Sequence, residues 1–202
     1  MADSPTTQFS LLARIRDPRD GEAWAEFVEV YAPLVYGLAR RHGLQDADAA
    51  DLTQDVLRSV ARAAPRFAYD PRRGSFRGWL FTVARNQLRK SALARKRQAP
   101  GCGGAEARRA LEEQPAPAEE EALWDREYQA RLFEWAAERV RPAFRLATWQ
   151  AFWRTAVDSR DPQEVARELG LSVGAVYIAR SRVLARIKEQ LRPLQDEDAT
   201  PA

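Results

Sequence analysis

Cationic and aromatic side chains are concentrated in one part of the sequence, residues 66–97. This stretch contains ten lysines and arginines and one acid, Asp70, which gives it a net charge of +9, whereas the whole chain carries +3. Five aromatic rings lie among these cations: Phe67, Tyr69, Phe76, Trp79 and Phe81. Cations neutralise backbone phosphates, and flat apolar rings stack on unpaired bases. The combination favours single-stranded nucleic acid as the ligand.

A helix is predicted to position part of this stretch. Ser75 is a suitable N-cap, and apolar residues follow it at helical spacing. They are more typical of a buried core than of a binding surface: Phe76, Leu80, Val83, Ala84 and Leu88. A second stripe runs beside them, formed by Trp79, Thr82, Asn86 and Arg89. Because tryptophan is uncommon on a purely solvated face, this second stripe is predicted to contact the ligand.

An acidic helix is predicted just before the basic stretch, between residues 45 and 64. Its buried face is predicted to contain Ala49, Leu52, Val56, Val60 and Ala63. Early acids stabilise a helix N-terminus, which accounts for Asp46 and Asp48 without any partner. For Asp51, Gln54 and Asp55 we favour an exposed face that meets a basic protein, because the same carboxylates would repel nucleic acid.

The sequence predicts an all-α fold with two helical domains, residues 10–97 and 122–192, joined by a flexible linker. The linker, residues 98–121, contains three prolines, three glycines and six glutamates, and has few residues to bury. The second domain contains a helix-turn-helix pattern in residues 162–179. There Ala166 allows close approach of two helices, Gly170 suits a turn with positive φ, and Ser172 can cap the second helix.

The second helix of that pattern is basic. Residues 171–192 contain five cations against one acid, Glu189, which gives a net charge of +4. A helix of this charge, presented by this turn, is typical of binding in the major groove of DNA. A protein-interaction or purely structural role is the alternative for the same pattern.

Other residue types exclude several classes of function. Cys102 and His42 are the sole cysteine and histidine of the sequence, which excludes an intramolecular disulfide and a Cys/His zinc site. His42 precedes Gly43 in a pattern typical of a helix C-terminus, which favours a structural role over a catalytic triad. The glycines at 101, 103 and 104 do not form a phosphate-binding loop. We therefore expect no enzymatic activity, no cofactor and no metal.

Targeting signals are not apparent either. No apolar run approaches the roughly 20 residues that span a bilayer. The first residues lack a basic start followed by a long apolar segment. We expect a cytoplasmic protein that makes no membrane contact.

With both halves considered, the sequence resembles the extracytoplasmic-function (ECF) group of the sigma-70 family of bacterial RNA polymerase sigma factors. The resemblance covers about residues 10–97 and 122–192. Three motifs carry it: residues 46–67 (DADAADLTQDVLRSVARAAPRF), residues 74–90 (GSFRGWLFTVARNQLRK) and residues 161–187 (DPQEVARELGLSVGAVYIARSRVLARI). Their occurrence together, in this order, is more specific than the helix-turn-helix pattern alone.

The resemblance implies three binding sites. Their partners would be core RNA polymerase, through its two largest subunits, and promoter DNA in duplex and single-stranded form. The resemblance also allows an anti-sigma protein as a further partner. The polymerase-binding set, on a helix that docks on the clamp coiled coil of the largest subunit, is Asp48, Asp51, Leu52, Gln54, Asp55 and Val56. The minus 10 set, which takes a flipped base and holds the opening strand, is Arg66, Phe67, Tyr69, Arg72, Arg73, Ser75, Trp79, Arg85, Asn86, Arg89 and Lys90. The minus 35 set, in the major groove, is Ser172, Val173, Gly174, Ala175, Tyr177, Arg180, Arg182 and Arg186. An apolar surface of the second domain would meet the flap of the other large subunit.

The recognition helix departs from the common ECF pattern. Tyr177 stands where the family often has lysine, and Ala179 stands where it often has arginine, so Tyr177 and Arg180 are our own candidates for base contacts. A stand-alone helix-turn-helix regulator is the alternative function, although it leaves the acidic stripe without a purpose. A DNA enzyme with a helix-turn-helix tail is disfavoured because no arrangement of nucleophile, base and metal ligands supports it.

Overall fold

The computed structural model describes residues 11–66, 75–98 and 117–195. Within these ranges the regular elements are helices and no strand is present, in agreement with the predicted all-α class. The α-helices are α1 Leu11–Arg14, α2 Gly21–Arg41, α3 Asp46–Ala63, α4 Phe76–Gln98, α5 Pro117–Val140, α6 Leu146–Phe152, α7 Pro162–Leu169 and α8 Val173–Gln195. Short 3₁₀ turns cover Ala64–Arg66 and Arg141–Ala143, and a π-helical turn covers Trp153–Val157.

The chain divides into two compact units. The first comprises residues 1–131 together with 194–202, and the second comprises residues 132–193. The boundary therefore falls inside α5 and later in the chain than residue 122, where the sequence analysis starts the second domain. The difference arises because the first half of α5 packs with the first unit.

In the first unit, α2, α3 and α4 enclose a shared apolar core. The Asp20 side chain caps α2 by accepting a hydrogen bond from the Ala23 backbone N–H at 2.9 Å. Phe27 stacks on Tyr31 with ring centroids 4.6 Å apart, and Phe76 of α4 meets both rings edge-on. Helix α2 continues through Pro33 without interruption. Burial of Tyr31 and Leu34 on either side of Pro33 offsets the backbone hydrogen bond that a proline removes.

The first half of α5 completes the core of this unit. Trp124 is fully buried, and its ring centroid lies 5.7 Å from that of Phe81 in α4. Tyr128 stacks on Tyr31 of α2 at 5.7 Å, and the two hydroxyl oxygens are 3.3 Å apart. These contacts join α5 to both α2 and α4 by burial of large aromatic surfaces, which is a major source of folding free energy.

The second unit is organised by the α7 and α8 helix pair. The Asp161 side chain caps α7 by accepting hydrogen bonds from the backbone N–H groups of Gln163 and Glu164. Gly170 ends α7 with φ of +65°, as predicted, and the Ser172 Oγ caps α8 by accepting from the Ala175 N–H at 3.1 Å. Small side chains allow α6, α7 and α8 to approach one another, in a buried cluster of Ala151, Ala166, Val176 and Ala179.

Two ion pairs on the surface connect the end of α7 to the residues that precede this helix. Glu168 of α7 forms ion pairs with Arg154, at 2.8 Å, and with Arg160, at 2.5 Å. The hydrogen bond from Arg160 lowers the pKa of the Glu168 carboxyl below its ordinary value, so this carboxylate stays ionised at neutral pH. These ion pairs fix the segment that leads into α7, and therefore the start of the helix pair.

Among the helices of the described ranges, none combines the length and the apolar character needed to cross a membrane.

Candidate nucleic-acid interface

The acidic face of α3 is exposed to solvent. Asp48, Asp51, Gln54 and Asp55 all lie on the surface. At one edge of this face Arg58 forms an ion pair with Asp55 at 2.5 Å and donates a hydrogen bond to the Gln54 side chain at 2.9 Å. The carboxylates are therefore available to a partner, although Asp55 already has a local cation.

Two members of the predicted polymerase-binding set lie inside the core instead. Leu52 is 5% exposed and Val56 is fully buried, both facing the apolar interior of the first unit. They share the helical face of Ala49 and Val60, which are also buried. Their burial does not support the predicted contact with a partner: in this structure they pack behind the acidic face.

The predicted base-binding loop is described only at its ends. Arg66 is exposed at the end of the 3₁₀ turn that follows α3. Ser75, at the other end, caps α4 by accepting a hydrogen bond from the Gly78 N–H at 3.1 Å. Phe67, Tyr69, Arg72 and Arg73 lie outside the described residues.

The predicted contact stripe of α4 borders the core at Trp79 and is exposed further along the helix. Trp79 is half-buried and packs on Phe76, with ring centroids 5.3 Å apart. Asn86, Arg89 and Lys90 are exposed along the same helix. The stripe thus combines an aromatic side chain, an amide and cations on an accessible surface, which suits a phosphate backbone with an unstacked base.

Arg85 does not belong to this exposed surface. Its side chain is 17% exposed, and Nε lies 3.3 Å from the Oε2 atom of Glu120 in α5. The prediction that Arg85 contacts DNA is not supported, because Arg85 lies at i+4 from Phe81 and i−3 from Leu88, which are both buried. That spacing was the sequence signal for an inward-facing arginine.

Glu120 is the centre of a buried cluster that the sequence analysis missed. Its carboxylate is 4% exposed and hydrogen-bonds through Oε1 to Nε2 of His42, the residue that caps the C-terminus of α2, while Oε2 lies 3.3 Å from Nε of Arg85. His42 is 12% exposed, so its role is structural, as predicted, although its partner was not foreseen. The available signal was that Glu120 precedes Trp124 and Tyr128 at i+4 and i+8, on the buried face of α5.

Further ion pairs join the same helices. Arg77 of α4 pairs with Asp125 at 2.6 Å, and its guanidinium lies 5.1 Å from the centroid of the Tyr128 ring. Arg41 of α2 pairs with Glu127 at 2.5 Å. The acidic first half of α5 therefore neutralises three arginines of the first unit, and two of them belong to the basic stretch of residues 66–97.

The N-terminal half of α8 presents most of the predicted minus 35 set to solvent. The exposed members are Ser172, Val173, Gly174, Tyr177, Arg180, Arg182 and Arg186, while Ala175 is half-buried. The opposite face of α8 is buried through Val176, Ala179, Val183 and Ile187. Ile178 is 60% exposed next to Tyr177 and was missed, because an isoleucine in a helix is usually assigned to the core.

An open groove of about 460 Å³ lies elsewhere in the second unit. Trp149 and Trp153 line it, stacked at 5.7 Å, and Leu146 at its edge is 65% exposed. Charged side chains of both signs, including Arg141 and Glu138, also line it. The groove suits an apolar segment of a partner protein with polar flanks. Within the residues that the structure describes, no three His, Cys, Asp or Glu side chains form a group suited to a metal ion.

Comparison with known proteins gives one family and several relatives. Residues 27–98, which include all of α3 and α4, match the family model described as sigma-70 region 2. The ECF RNA polymerase sigma factor RpoE of Cereibacter sphaeroides is 28% identical over 194 residues, which cover 92% of this chain and 96% of that protein. The ECF RNA polymerase sigma factor SigE of Mycolicibacterium smegmatis is 31% identical over 170 residues, which cover 84% of this chain and 60% of that protein.

Two solved structures are also similar to this chain in sequence. CnrH in complex with the cytosolic domain of CnrY is 22% identical over 90% of this chain and 95% of that chain, with a TM-score of 0.35. SigE of Rhodobacter sphaeroides in complex with the anti-sigma ChrR is 26% identical over 89% of this chain and 94% of that chain, with a TM-score of 0.34.

Removal of the Glu120 carboxylate tests the buried cluster. Glu120→Ala leaves Arg85 and His42 without their shared partner in a poorly solvated site, so we expect the free energy of unfolding to fall by about 3 kcal/mol. The matched control is Glu119→Ala, at an exposed neighbouring position, which should change it by less than about 0.5 kcal/mol. Urea denaturation followed by circular dichroism measures both. Equal losses from the two variants would contradict the assignment.

Proposed function

We propose a mechanism for a chain that belongs to the sigma-70 family of bacterial RNA polymerase sigma factors, in its extracytoplasmic-function (ECF) group. As a sigma factor it binds core RNA polymerase and directs it to specific promoters. The observation that carries this function is the region 2 match, since it spans the helices that present both the acidic face of α3 and the exposed stripe of α4. The chain acts by binding, and no catalytic step is assigned to it.

The acidic face of α3 is our proposed contact with the clamp coiled coil of the largest polymerase subunit. Its support is the exposure of Asp48, Asp51 and Asp55 on one side of a helix whose other side is packed in the core. Opposite charge on the partner would steer the encounter and fix the register of docking. Leu52 and Val56 keep this face rigid by filling the core behind it.

The exposed stripe of α4 is our proposed contact with the minus 10 element. During promoter opening, a base of the non-template strand must leave its stack, at a cost of a few kcal/mol. Trp79 offers a ring surface, Asn86 offers an amide, and Arg89 offers a cation for the neighbouring phosphate. The stripe can therefore offset part of that cost by stacking and charge neutralisation.

The second unit is proposed to anchor the upstream element. The α7 and α8 pair, with its Gly170 turn and Ser172 cap, has the features of a helix-turn-helix whose second helix enters the major groove. Arg180, Arg182 and Arg186 are exposed on that helix and suit phosphate contacts. The groove lined by Trp149 and Trp153 is proposed to receive the flap of the second-largest polymerase subunit.

Run-off transcription tests the proposed function directly. Core polymerase would be assayed with and without the full chain on a pool of promoter fragments. Promoter-specific transcripts that appear only when the chain is added would support it. Absence of such transcripts, combined with tight binding of duplex DNA by the chain alone, would favour a stand-alone regulator.

Charge reversal at Asp55 should weaken binding to core polymerase. Asp55→Arg places a cation where a basic partner is expected, so we predict an affinity lower by at least about tenfold in a competition assay at low salt. Glu119→Arg makes the same change of charge at an exposed position of α5 and serves as the control. If both variants retain the affinity of the unaltered chain, the α3 assignment fails.

Loss of the exposed polar side chains of α4 should impair opening and leave holoenzyme assembly intact. We expect Asn86→Ala with Arg89→Ala to lower permanganate reactivity of thymines near the start site, because the single strand loses an amide and a phosphate contact. Loss of one phosphate contact should also reduce the salt dependence of single-strand binding by about 0.7 in log–log slope. Arg126→Ala, an exposed arginine of α5, is the control. Unchanged reactivity in the double variant would contradict the proposal.

A further inference from the structure

Helix α8 carries a pair of large apolar side chains on its surface. Tyr177 is 53% exposed and Ile178 is 60% exposed. Apolar residues on the opposite face of the same helix are buried, with Val176 at 1% and Val183 at 0% exposure. Exposure of an isoleucine beside a tyrosine costs solvation free energy, so this pair suggests a surface that is covered when the protein acts.

The pair lies on the side of α8 that is opposite to the core. Gly174, Tyr177, Ile178 and Ser181 recur at i, i+3, i+4 and i+7, and all four are exposed. A Cβ atom at Gly174 would meet nothing closer than the Ser172 Oγ at 4.0 Å, so internal packing does not require a glycine there. The glycine and the serine leave room for a close approach of a partner to the two larger side chains.

Charge identifies the partner. The outward stripe is uncharged, but cations flank it, with Arg180 on one side and Arg182 and Arg186 on the other; Arg186 also pairs with Glu189 at 2.8 Å. A neutral face with cations on both sides matches the major groove of duplex DNA, where base edges lie between two phosphate backbones. A protein partner of mixed charge would not explain cations on both sides.

The chemistry of the groove then limits what the pair can read. An isoleucine side chain neither donates nor accepts hydrogen bonds, and the apolar feature that base pairs offer in the major groove is the thymine 5-methyl group. We infer that Ile178, with Tyr177 beside it, selects promoters by packing on thymine methyl groups of the upstream element. This inference rests on the proposed function, in which α8 reads duplex DNA.

The test combines a change in the protein with a change in the DNA. Once run-off transcription has identified a promoter, each thymine of its upstream element is replaced singly by deoxyuridine, which removes only the methyl group. Holoenzyme binding to each promoter is then measured at one fixed salt concentration. We expect at least one position where deoxyuridine weakens binding by about fourfold, the effect of losing one buried methyl group.

The variant Ile178→Ala should remove that sensitivity. It should bind the thymine promoter about as weakly as the unaltered chain binds the deoxyuridine promoter, with no further loss when both changes are combined. Val157→Ala, an exposed apolar residue of the second unit outside the groove and α8, is the matched control and should keep the full methyl effect. Because both side chains are exposed, thermal unfolding midpoints should be unchanged.

Three results would overturn the inference. Promoter binding by the unaltered holoenzyme that is insensitive to every deoxyuridine substitution excludes a methyl contact. If Ile178→Ala weakens binding to the thymine and the deoxyuridine promoters by the same factor, Ile178 is not the side chain that contacts the methyl group. Weaker binding of Ile178→Ala to core polymerase in the absence of promoter DNA would assign the pair to a protein interface. Failure of the unaltered chain to produce any promoter-specific transcript would instead reject the proposed function itself.

Discussion

The carboxylate of Glu120 is shared by His42 and Arg85, and the arrangement of the first unit depends on this contact. A polar side chain that is almost fully buried is unfavourable unless its partners are close. Helices α2 and α4 must therefore hold their partners against the first turns of α5. The aromatic contacts of Trp124 and Tyr128 follow one and two turns later and add the apolar burial that this polar cluster does not supply.

Ion pairs with α5 explain how α4 divides its charges. With Arg77 and Arg85 turned toward α5, two cations of the basic stretch become structural. Asn86 and Arg89 then lie on a separate, exposed surface. A helix has a fixed angular period, so the inward side chains determine which residues are presented outward. Net charge along a sequence overstates the cations available to a ligand for this reason.

Local features of the fold were predictable from the sequence. The caps at Ser75 and Ser172 and the left-handed turn at Gly170 depend on residues close in the chain, and each is present in the structure. The pairing of Glu120 with Arg85 was not predictable, because periodicity indicates which face is buried but not which distant residue it meets. Leu52 and Val56 show a different limit: their burial was predicted from spacing, while the family motif placed them at an interface. For Ile178 the available signal was its position two residues after the buried Val176, which places it on the opposite face of the helix.

Arg58 competes with any basic partner for the acidic face of α3. Because its guanidinium already occupies Asp55 and the Gln54 side chain, a basic partner that uses these groups replaces one cation by another. Such an exchange gains less Coulomb energy than the pairing of a cation with a carboxylate that has no ion-pair partner. The face is consequently suited to distinguishing partners by shape and register more than by strength of attraction. Such an interface is also readily reversed, because Arg58 of the same helix can pair with Asp55 again when the cation of the partner leaves.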